Sequence, residues 1–394
     1  MATPSFEIPA EWSAVATAIH SSGRKIVIAV TGGGSGAISA LLQTPGASRT
    51  ILEAIVPYSH AALTDWIGAK PEQACSAATA RAMAMAAFMR ARELAPDAAP
   101  ETWLGVGATA SLATDRPKRG ERRGHLAFQT HDRAFERHYS LDDSPPDRGA
   151  DEQIAAAQTL AIVLKGCGLS DADAELHGGA SGHGVLVADE ATDLLLGRKR
   201  LNLCGPGSWW DYLDDSAAST IRLLFPGAFN PPHVGHLRMA EAAEKRLRCP
   251  VVWELSIENV DKPLLDLISI EERFEWLREL DDDRWIALTR APTFREKSEL
   301  FPNATFIVGI DTLVRIADPK YYGGDPSQRD AAIAEIASRG CRFLAFGRVI
   351  DGKFTVLSDL MLPPALAAIC DEVPAAEFRE DVSSTELRNG LANS

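Results

Sequence analysis

The sequence predicts an α/β protein in two domains, the second built on a doubly wound parallel sheet with helices on both faces. Three observations carry that prediction. At 394 residues the chain is longer than one hydrophobic core usually organises. From Ile221 onward apolar, strand-like runs alternate with helical patterns, as successive strand-helix-strand units do. Between this half and an earlier block of strands and helices lies CGPGSWWDYLDDSAAST, Cys204 to Thr220, which has no periodicity. The expected domains are therefore residues 1–203 and 221–394, joined by a linker over 204–220 whose Trp209 and Trp210 suggest packing against something.

In the first half, KIVIAV from Lys25 reads as a buried strand, TGGGSG as a glycine-rich turn, and AISALL as the helix that follows. ILEAIV from Ile51 is a second strand, and the alanine-rich run from Ser76 to Leu94 has strong helix propensity. TWLGVGATA and GHLAFQT read as further strands joined by the basic connector DRPKRGERRG. LDDSPPDRGA from Leu141 is a loop by its prolines, aspartates and glycine, and DEQIAAAQTLAIVLKG after it is an amphipathic helix.

Beyond the linker come strand IRLLF, a helix from about Gly235 to Arg248, strand VVWELS, a helix from Ile270 to Leu280 and strand WIALT. Strand ATFIV, a helix from Gln328 to Ser338, strand RFLAF and a last helix beginning near Ser384 complete the order. In a sheet of this kind ligands sit beyond the carboxyl ends of the strands.

Composition narrows the function classes. A hydrophobic fraction of 46% with 24% charged residues is ordinary for a folded globular chain, so disorder is not the main theme. A net charge of −14 argues against general affinity for nucleic acid or an anionic membrane, which both require broad positive potential. A small anionic substrate needs only a local cluster of donors. The six cysteines, Cys75, Cys167, Cys204, Cys249, Cys341 and Cys370, are scattered without zinc-ligand spacing and read as reduced thiols. MATPSFEIPAEW mixes acids and prolines where a secretory signal is basic and then apolar, and no run approaches the roughly 18 apolar residues of a membrane helix. The expected location is the cytoplasm.

Two motifs carry chemistry. GAFNPPHVGH, Gly227 to His236, stands directly after a strand and directly before a helix. The turn Gly227-Ala228-Phe229 lets backbone approach a phosphate, and the helix start adds unpaired N–H groups. His233 and His236 are three apart, so they share one face of a first helical turn. Two imidazoles so placed can donate to one phosphate group, where negative charge accumulates during transfer. A proline-terminated turn with two idle histidines is the plainer reading, and it leaves the coincidence of glycines, Asn-Pro-Pro turn and strand-to-helix context unexplained. The second motif is Ser383-Ser384-Thr385-Glu386-Leu387-Arg388. Ser383 with Glu386 fits a capping box, which alone says only that a helix starts there. Arg388 then lies within two turns of the helix's positive end, an unfavourable place for a cation unless an anion binds nearby. Hydroxyls from Ser384 and Thr385, helix N–H groups and a guanidinium together suit a polyphosphate.

On these residues the chain from about Ile221 to its end resembles the nucleotidyltransferase superfamily of the H-x-G-H type, and within it the nicotinamide or nicotinate mononucleotide adenylyltransferases. G-x-F-N-P-P-H-x-G-H is matched at every fixed position, and S-S-T-x-x-R ends 388 − 233 = 155 residues after the first histidine. The resemblance implies a Rossmann-like domain in which a mononucleotide's phosphate attacks the α-phosphorus of ATP in line, releasing pyrophosphate and forming a dinucleotide. It implies His233, His236 and Arg388 as catalytic residues. Gly227, Ala228, Phe229, Ser384 and Thr385 would bind ATP and its phosphates, joined by Lys262 of Asp261-Lys262-Pro263 and by Arg273 of Glu272-Arg273. Gly309 and Asp311, flanking Ile310, would approach the adenosine, and Mg2+ would bridge phosphate oxygens without protein ligands of its own. Trp285 and Phe294 lie where this family often supplies an aromatic platform for the pyridine ring, although Trp285 opens an apolar strand and is read as core. The same motifs serve other phosphorylated acceptors, such as phosphopantetheine or a cytidylyl acceptor. A non-catalytic nucleotide sensor is the further alternative, and the intact motifs count against it.

The first half, roughly Trp12 to Leu169, resembles the C-terminal domain of the competence-damage-inducible protein A (CinA) family, whose members include nicotinamide mononucleotide deamidases. Its marks are Val30-Thr31-Gly32-Gly33, Thr44-Pro45-Gly46-Ala47-Ser48, Pro57-Tyr58-Ser59-His60, Ala78-Thr79-Ala80-Arg81-Ala82-Met83-Ala84 and Gly105-Val106-Gly107-Ala108-Thr109, in the family's order. Two departures matter more. The family's active enzymes have a serine two residues before Thr-Gly-Gly, where Ala29 stands, and a lysine five residues after the tyrosine, where Leu63 stands. Amide hydrolysis by that mechanism is not expected without them, and Ser35 is the only substitute nucleophile nearby. The resemblance then implies a ligand-binding or dimerising relic, through which a homo-oligomer would form. The basic residues Arg116, Lys118, Arg119, Arg122 and Arg123 would hold a phosphate or form a solvated hairpin connector.

Overall fold

The computed structural model describes residues 9–115, 120–142, 145–169, 181–186, 189–206, 215–260, 264–350 and 352–379. The chain divides into two compact units, residues 1–192 with 261–269 and residues 193–260 with 270–394.

The first unit runs α1 (Ala10–Ser21), β1 (Lys25–Thr31), α2 (Ser35–Gln43), α3 (Ala47–Thr50), β2 (Ile51–Ile55), α4 (His60–Ile67), α5 (Ala77–Leu94), β3 (Trp103–Ser111), β4 (Arg123–Gln129), β5 (Arg133–Ser140), α6 (Arg148–Gly166) and β6 (Ser181–Leu186). It closes in α7 (Asp189–Leu196), across which the division between units falls. Its sheet has the order β2-β1-β3-β4-β5-β6, parallel over the first three strands and antiparallel from β3 to β6. Helical crossovers make the parallel pairs, β3, β4 and β5 follow one another without an intervening helix, and the chain passes through α6 before β6 pairs antiparallel with β5. Ile26, Ile28, Val30, Leu104 and Val106 fill the core on one face, with Ala156, Leu160 and Val163 of α6 packed against them. On the other face α5 closes on β3 through glycines. A Cβ at Gly105 would stand 2.2 Å from the Ala84 carbonyl oxygen, and one at Gly107 would stand 2.3 Å from that of Ala80. The G-V-G-A alternation therefore exists so that an alanine-rich helix can lie directly on the strand. β5 escapes notice in the sequence because Arg133, Glu136, Arg137 and His138 break any apolar alternation. Its pairing with β4, from Arg123 opposite Ser140 to Gln129 opposite Ala134, makes it a strand.

The second unit runs β7 (Leu201–Cys204), β8 (Leu223–Pro226), α8 (Val234–Leu247), β9 (Val252–Ser256), α9 (Leu267–Leu280), β10 (Ile286–Thr289), α10 (Phe294–Leu300), β11 (Thr305–Gly309), α11 (Ile310–Ala317), α12 (Pro326–Ser338), β12 (Arg342–Phe346), β13 (Arg348–Ile350), β14 (Lys353–Thr355), α13 (Pro364–Ala367) and β15 (Cys370–Val373). The first turn of α9 is counted with the first unit. The strands take the order β15-β12-β11-β8-β9-β10-β7, and β13 pairs with β14 separately. Every pair in the large sheet is parallel except β10 with β7. Numbered along the chain, the parallel strands read 3-2-1-4-5-6, a doubly wound sheet whose order reverses between β8 and β11. The alternation in the sequence anticipated this.

The boundary differs from expectation. Residues 201–203, expected at the end of the first domain, form with Cys204 of the expected linker the antiparallel edge of the second sheet, so that unit begins before 204–220. Four residues are too few to declare a strand, and only pairing with the open edge of β10 makes them one. Trp209, Trp210 and the helix expected near Ser384 lie outside the described residues. All six cysteines are free, and among the described residues no helix is long and apolar enough to cross a membrane.

Candidate active site

The carboxyl ends of β8 and β11 flank the point where the strand order reverses, and two sequence motifs emerge there. After β8, the Gly227 N–H donates to the Glu254 carbonyl at 3.0 Å, which ties the turn to β9. A Cβ on Gly227 would lie 2.5 Å from the Phe229 ring, so only glycine fits beneath it. Phe229 has φ +43° and is 2% exposed, an unusual backbone conformation held in place by burial. Its ring meets Trp253 at 5.3 Å, His236 at 5.4 Å and Phe225 at 5.8 Å between centroids. The Arg273 guanidinium, from α9, donates to the Ala228 carbonyl at 3.1 Å. The Phe229 side chain thus supports the turn from inside.

The two histidines are joined by a reciprocal cap. The Gly235 N–H donates to His233 Nδ1 at 3.1 Å, and the His233 N–H donates to His236 Nδ1 at 3.1 Å. With each Nδ1 accepting, each neutral ring carries its proton on Nε2, so both imidazoles are Nε2–H donors. Their centroids are 3.9 Å apart. Burial against Phe225 and Phe229, followed by the nearness of His233 and Arg348, pushes the His236 pKa down to about 3. His236 is therefore neutral at physiological pH and suited to donating a hydrogen bond, not to exchanging protons.

After β11, Gly309 caps α11 and Asp311 stands in its first turn. A Cβ at Gly309 would meet Asp311 Oδ1 at 2.5 Å. Asp311 pairs with Arg348 Nη1 at 3.2 Å, directly past the end of β12. Arg348 is thus brought beside the histidines, close enough to bear on the titration of His236. Sequence reasoning missed it because a lone arginine opening a three-residue strand belongs to no motif; its one signal was its place just after an apolar strand.

Also missed was a buried polar cluster behind the turn. Lys297 Nζ donates to Glu254 Oε1 and Oε2 at 2.6 and 2.8 Å, and Thr289 Oγ1 donates to the same carboxylate. Lys297 is 5% exposed and Glu254 1%, so each charge is tolerable only because of the other.

Lys262, Ser384, Thr385 and Arg388 lie outside the described residues. Trp285 precedes β10, at the amino end of the sheet, where it lines a cavity of about 300 Å3 with Leu203, Ile221 and Val252. Phe294 packs on Phe343 at 5.2 Å and Phe306 at 5.4 Å. Both rings serve the core, and Trp285 stands at the edge opposite the histidines.

In the first unit, Ala29 and Leu63 lie together in one apolar cluster with Ile67 and Met83. The positions where the resembling family keeps its serine and lysine are thus closed by hydrocarbon. Ser35 Oγ donates to Glu152 Oε1 at 2.9 Å, and the N–H groups of Gly34 and Gly36 donate to the same carboxylate at 2.8 and 3.1 Å. An internal anion therefore occupies the start of α2. Arg122 is buried and paired with Asp151 at 2.9 Å and Asp142 at 3.1 Å, which makes it a structural cation. Arg116, Lys118 and Arg119 lie outside the described residues.

The cytidylyltransferase-like family matches residues 224–390. A probable nicotinate-nucleotide adenylyltransferase of Gloeobacter violaceus is 30% identical over 184 residues, spanning 43% of this chain and 82% of that protein. A putative nicotinamide mononucleotide adenylyltransferase of Schizosaccharomyces pombe is 26% identical over 179 residues, spanning 43% of this chain and 69% of that protein. Among solved structures, a competence/damage inducible protein from Agrobacterium tumefaciens is similar, with 21% identity and a TM-score of 0.34, covering 41% of this chain and 98% of that one. The doubly wound sheet with paired imidazoles at its switch point has the build of a nucleotidyltransferase. Through that half, the chain belongs to the nicotinate-nucleotide adenylyltransferase family.

Proposed function

We propose that the second unit joins ATP to nicotinate or nicotinamide mononucleotide, forming the dinucleotide and pyrophosphate. The observation that carries the reading is the His233–His236 reciprocal cap, which sets two Nε2–H donors at the start of α8, beside the switch point of the sheet. A helix start and two Nε2–H donors suit a phosphate whose charge grows as the reaction proceeds.

In the reaction, an oxygen of the mononucleotide phosphate forms a bond to the α-phosphorus of ATP as the bond to the bridging oxygen of the β-phosphate breaks. The bond electrons leave with pyrophosphate. The attacking phosphate is already largely ionised near neutrality, so no protein base is required. His233 and His236 stabilise the charge on the α-phosphate, and the Gly227–Phe229 turn, held by Arg273, brings backbone close to the nucleotide. Ser384, Thr385 and Arg388 would hold the β and γ phosphates, Lys262 would bind phosphate, and Gly309 and Asp311 would approach the adenosine. Magnesium supplies charge neutralisation on the phosphates. Phosphate oxygens would carry the ion.

The test is to incubate the full chain with ATP, magnesium and, separately, nicotinate mononucleotide, nicotinamide mononucleotide and phosphopantetheine, following pyrophosphate and the joined product. Turnover with a pyridine mononucleotide that is lost in His236→Ala is the expected result. Turnover only with phosphopantetheine, or with none of the three, overturns the reading. The apolar closure of Ala29 and Leu63 supports a first unit that releases no ammonia from nicotinamide mononucleotide.

A further inference from the structure

We infer that the first unit carries a binding site for a phosphate-bearing small molecule in a cleft over β4, β5 and β6, built from His125, His138 and His183 beside the start of α5. Nothing in the adenylyl-transfer reading uses these residues.

Strand register brings the imidazoles together. His125 on β4 stands opposite His138 on β5, and Glu136, two residues before His138, stands opposite His183 on β6. Opposed residues share a face, as do residues two apart on one strand, so all three histidines project from the same side of three neighbouring strands. The rings of His125 and His138 have centroids 6.2 Å apart. With Glu136, Arg137 and Ala77 they line a cavity of about 290 Å3, at the small end of ligand pockets, which run from about 300 Å3 upward.

Three features make this an anion site and not merely a wet face of a sheet. Ala77 is the first residue of an 18-residue helix, so the positive end of α5 opens on the cavity. The carboxylate in the lining, Glu136, is engaged by Arg81 at 2.8 Å, a cation that also lies 3.6 Å from Asp266. Finally, His125 Nδ1 is buried with no hydrogen-bond partner among the described residues. A buried ring nitrogen beside a cavity calls for a ligand atom. A metal is a poor occupant, since no three of these side chains are arranged to ligate one. A phosphate group accepts several hydrogen bonds at once, which suits donors arriving from three strands and a helix.

Burial, followed by Arg123 and His138, holds the His125 pKa down to about 4. The charged and titratable groups facing it are Arg123 on its own strand, Glu136 and His138 on β5, His183 on β6, Arg81 on α5 and Asp266 beyond, while the Arg137 side chain lies over Phe135 on the other face. An anion against the ring favours its protonated form, so binding takes up protons and tightens as pH falls from 7 to 5.

The test titrates inorganic phosphate, nicotinamide mononucleotide and the phosphate-free nucleoside into the full chain, following the histidine Cε1–H resonances by NMR. Single His→Asn variants assign them. Phosphate and the mononucleotide should move the signals of His125, His138 and His183, with dissociation constants lower at pH 6 than at pH 8, whereas the nucleoside should leave them unmoved. The tighter of the two active probes identifies the physiological source. His183→Asn, at an exposed position of β6, should weaken phosphate binding about tenfold while retaining the native melting temperature. Unmoved signals at these three histidines, or a variant that binds phosphate like the wild type, overturn the assignment.

Discussion

Replacing His236 by asparagine separates two tasks performed by one ring. Nδ1 accepts the His233 N–H at 3.1 Å and so completes the cap of α8, while Nε2 bears the proton and is the donor offered to a phosphate. The Oδ1 of asparagine stands about where Nδ1 does, so the cap survives and nothing replaces Nε2. The expected loss of stability is below about 1 kcal/mol, the typical value of a whole cap. The expected loss in kcat is about 10²–10³, or roughly 3–4 kcal/mol, as for removal of one donor to a developing oxyanion. His236→Gln should do the reverse: its amide nitrogen reaches to about the Nε2 position while the cap is lost, so activity partly returns and stability falls by about 1 kcal/mol. Pyrophosphate release at saturating substrates and urea unfolding measure the two quantities. Because burial holds the ring neutral down to about pH 3, the free-enzyme profile of kcat/KM should carry no inflection from His236 between about pH 5 and 9. A His236→Asn enzyme within about threefold of wild type would refute the reasoning, as would a wild-type inflection near pH 6.5 that the variant lacks.

Three further outcomes follow from the same structure. The folded pKa of His236 lies below its ordinary value of 6.5, so the unfolded chain binds more protons between about pH 6.5 and 3, and stability falls as pH drops through that window. The dependence of Tm on pH across that range should therefore be shallower in His236→Asn than in the wild type. Lys297→Met strands the Glu254 carboxylate in the core and should cost about 3–5 kcal/mol in urea unfolding, most of it recovered by adding Glu254→Gln. Arg348→Gln breaks a half-exposed pair with Asp311 and should change stability by less than about 1 kcal/mol, while raising the KM for ATP; an unchanged KM would remove Arg348 from the site.

Much of the second unit was legible in the order of residues. Alternating apolar runs and helical patterns are local signals, and a parallel sheet wound from both sides is the compact arrangement that hides both faces of such strands. The Gly227–His236 segment was legible too, because a tight turn, a backbone that must approach a ligand and a helix start each leave a mark in residue type. Gly227 cannot carry a Cβ under the Phe229 ring, and that constraint is written directly as a glycine. The edge strand Leu201–Cys204 left no such mark, since nothing within four residues reveals the open edge of β10 that it pairs with.

Residue order by itself determined which atoms can do chemistry: two imidazoles three apart, a serine-threonine-arginine set far downstream, and Ala29 and Leu63 where a serine and a lysine would otherwise stand. Tertiary structure alone decided which of those atoms are donors and which charges are already matched. The tautomer of His236 follows from one backbone N–H of His233, the pairing of Arg348 with Asp311 spans 37 residues, and the three histidines of the first unit meet only through strand register. Protonation and charge compensation depend on distance and burial, which chain order encodes only through the whole fold.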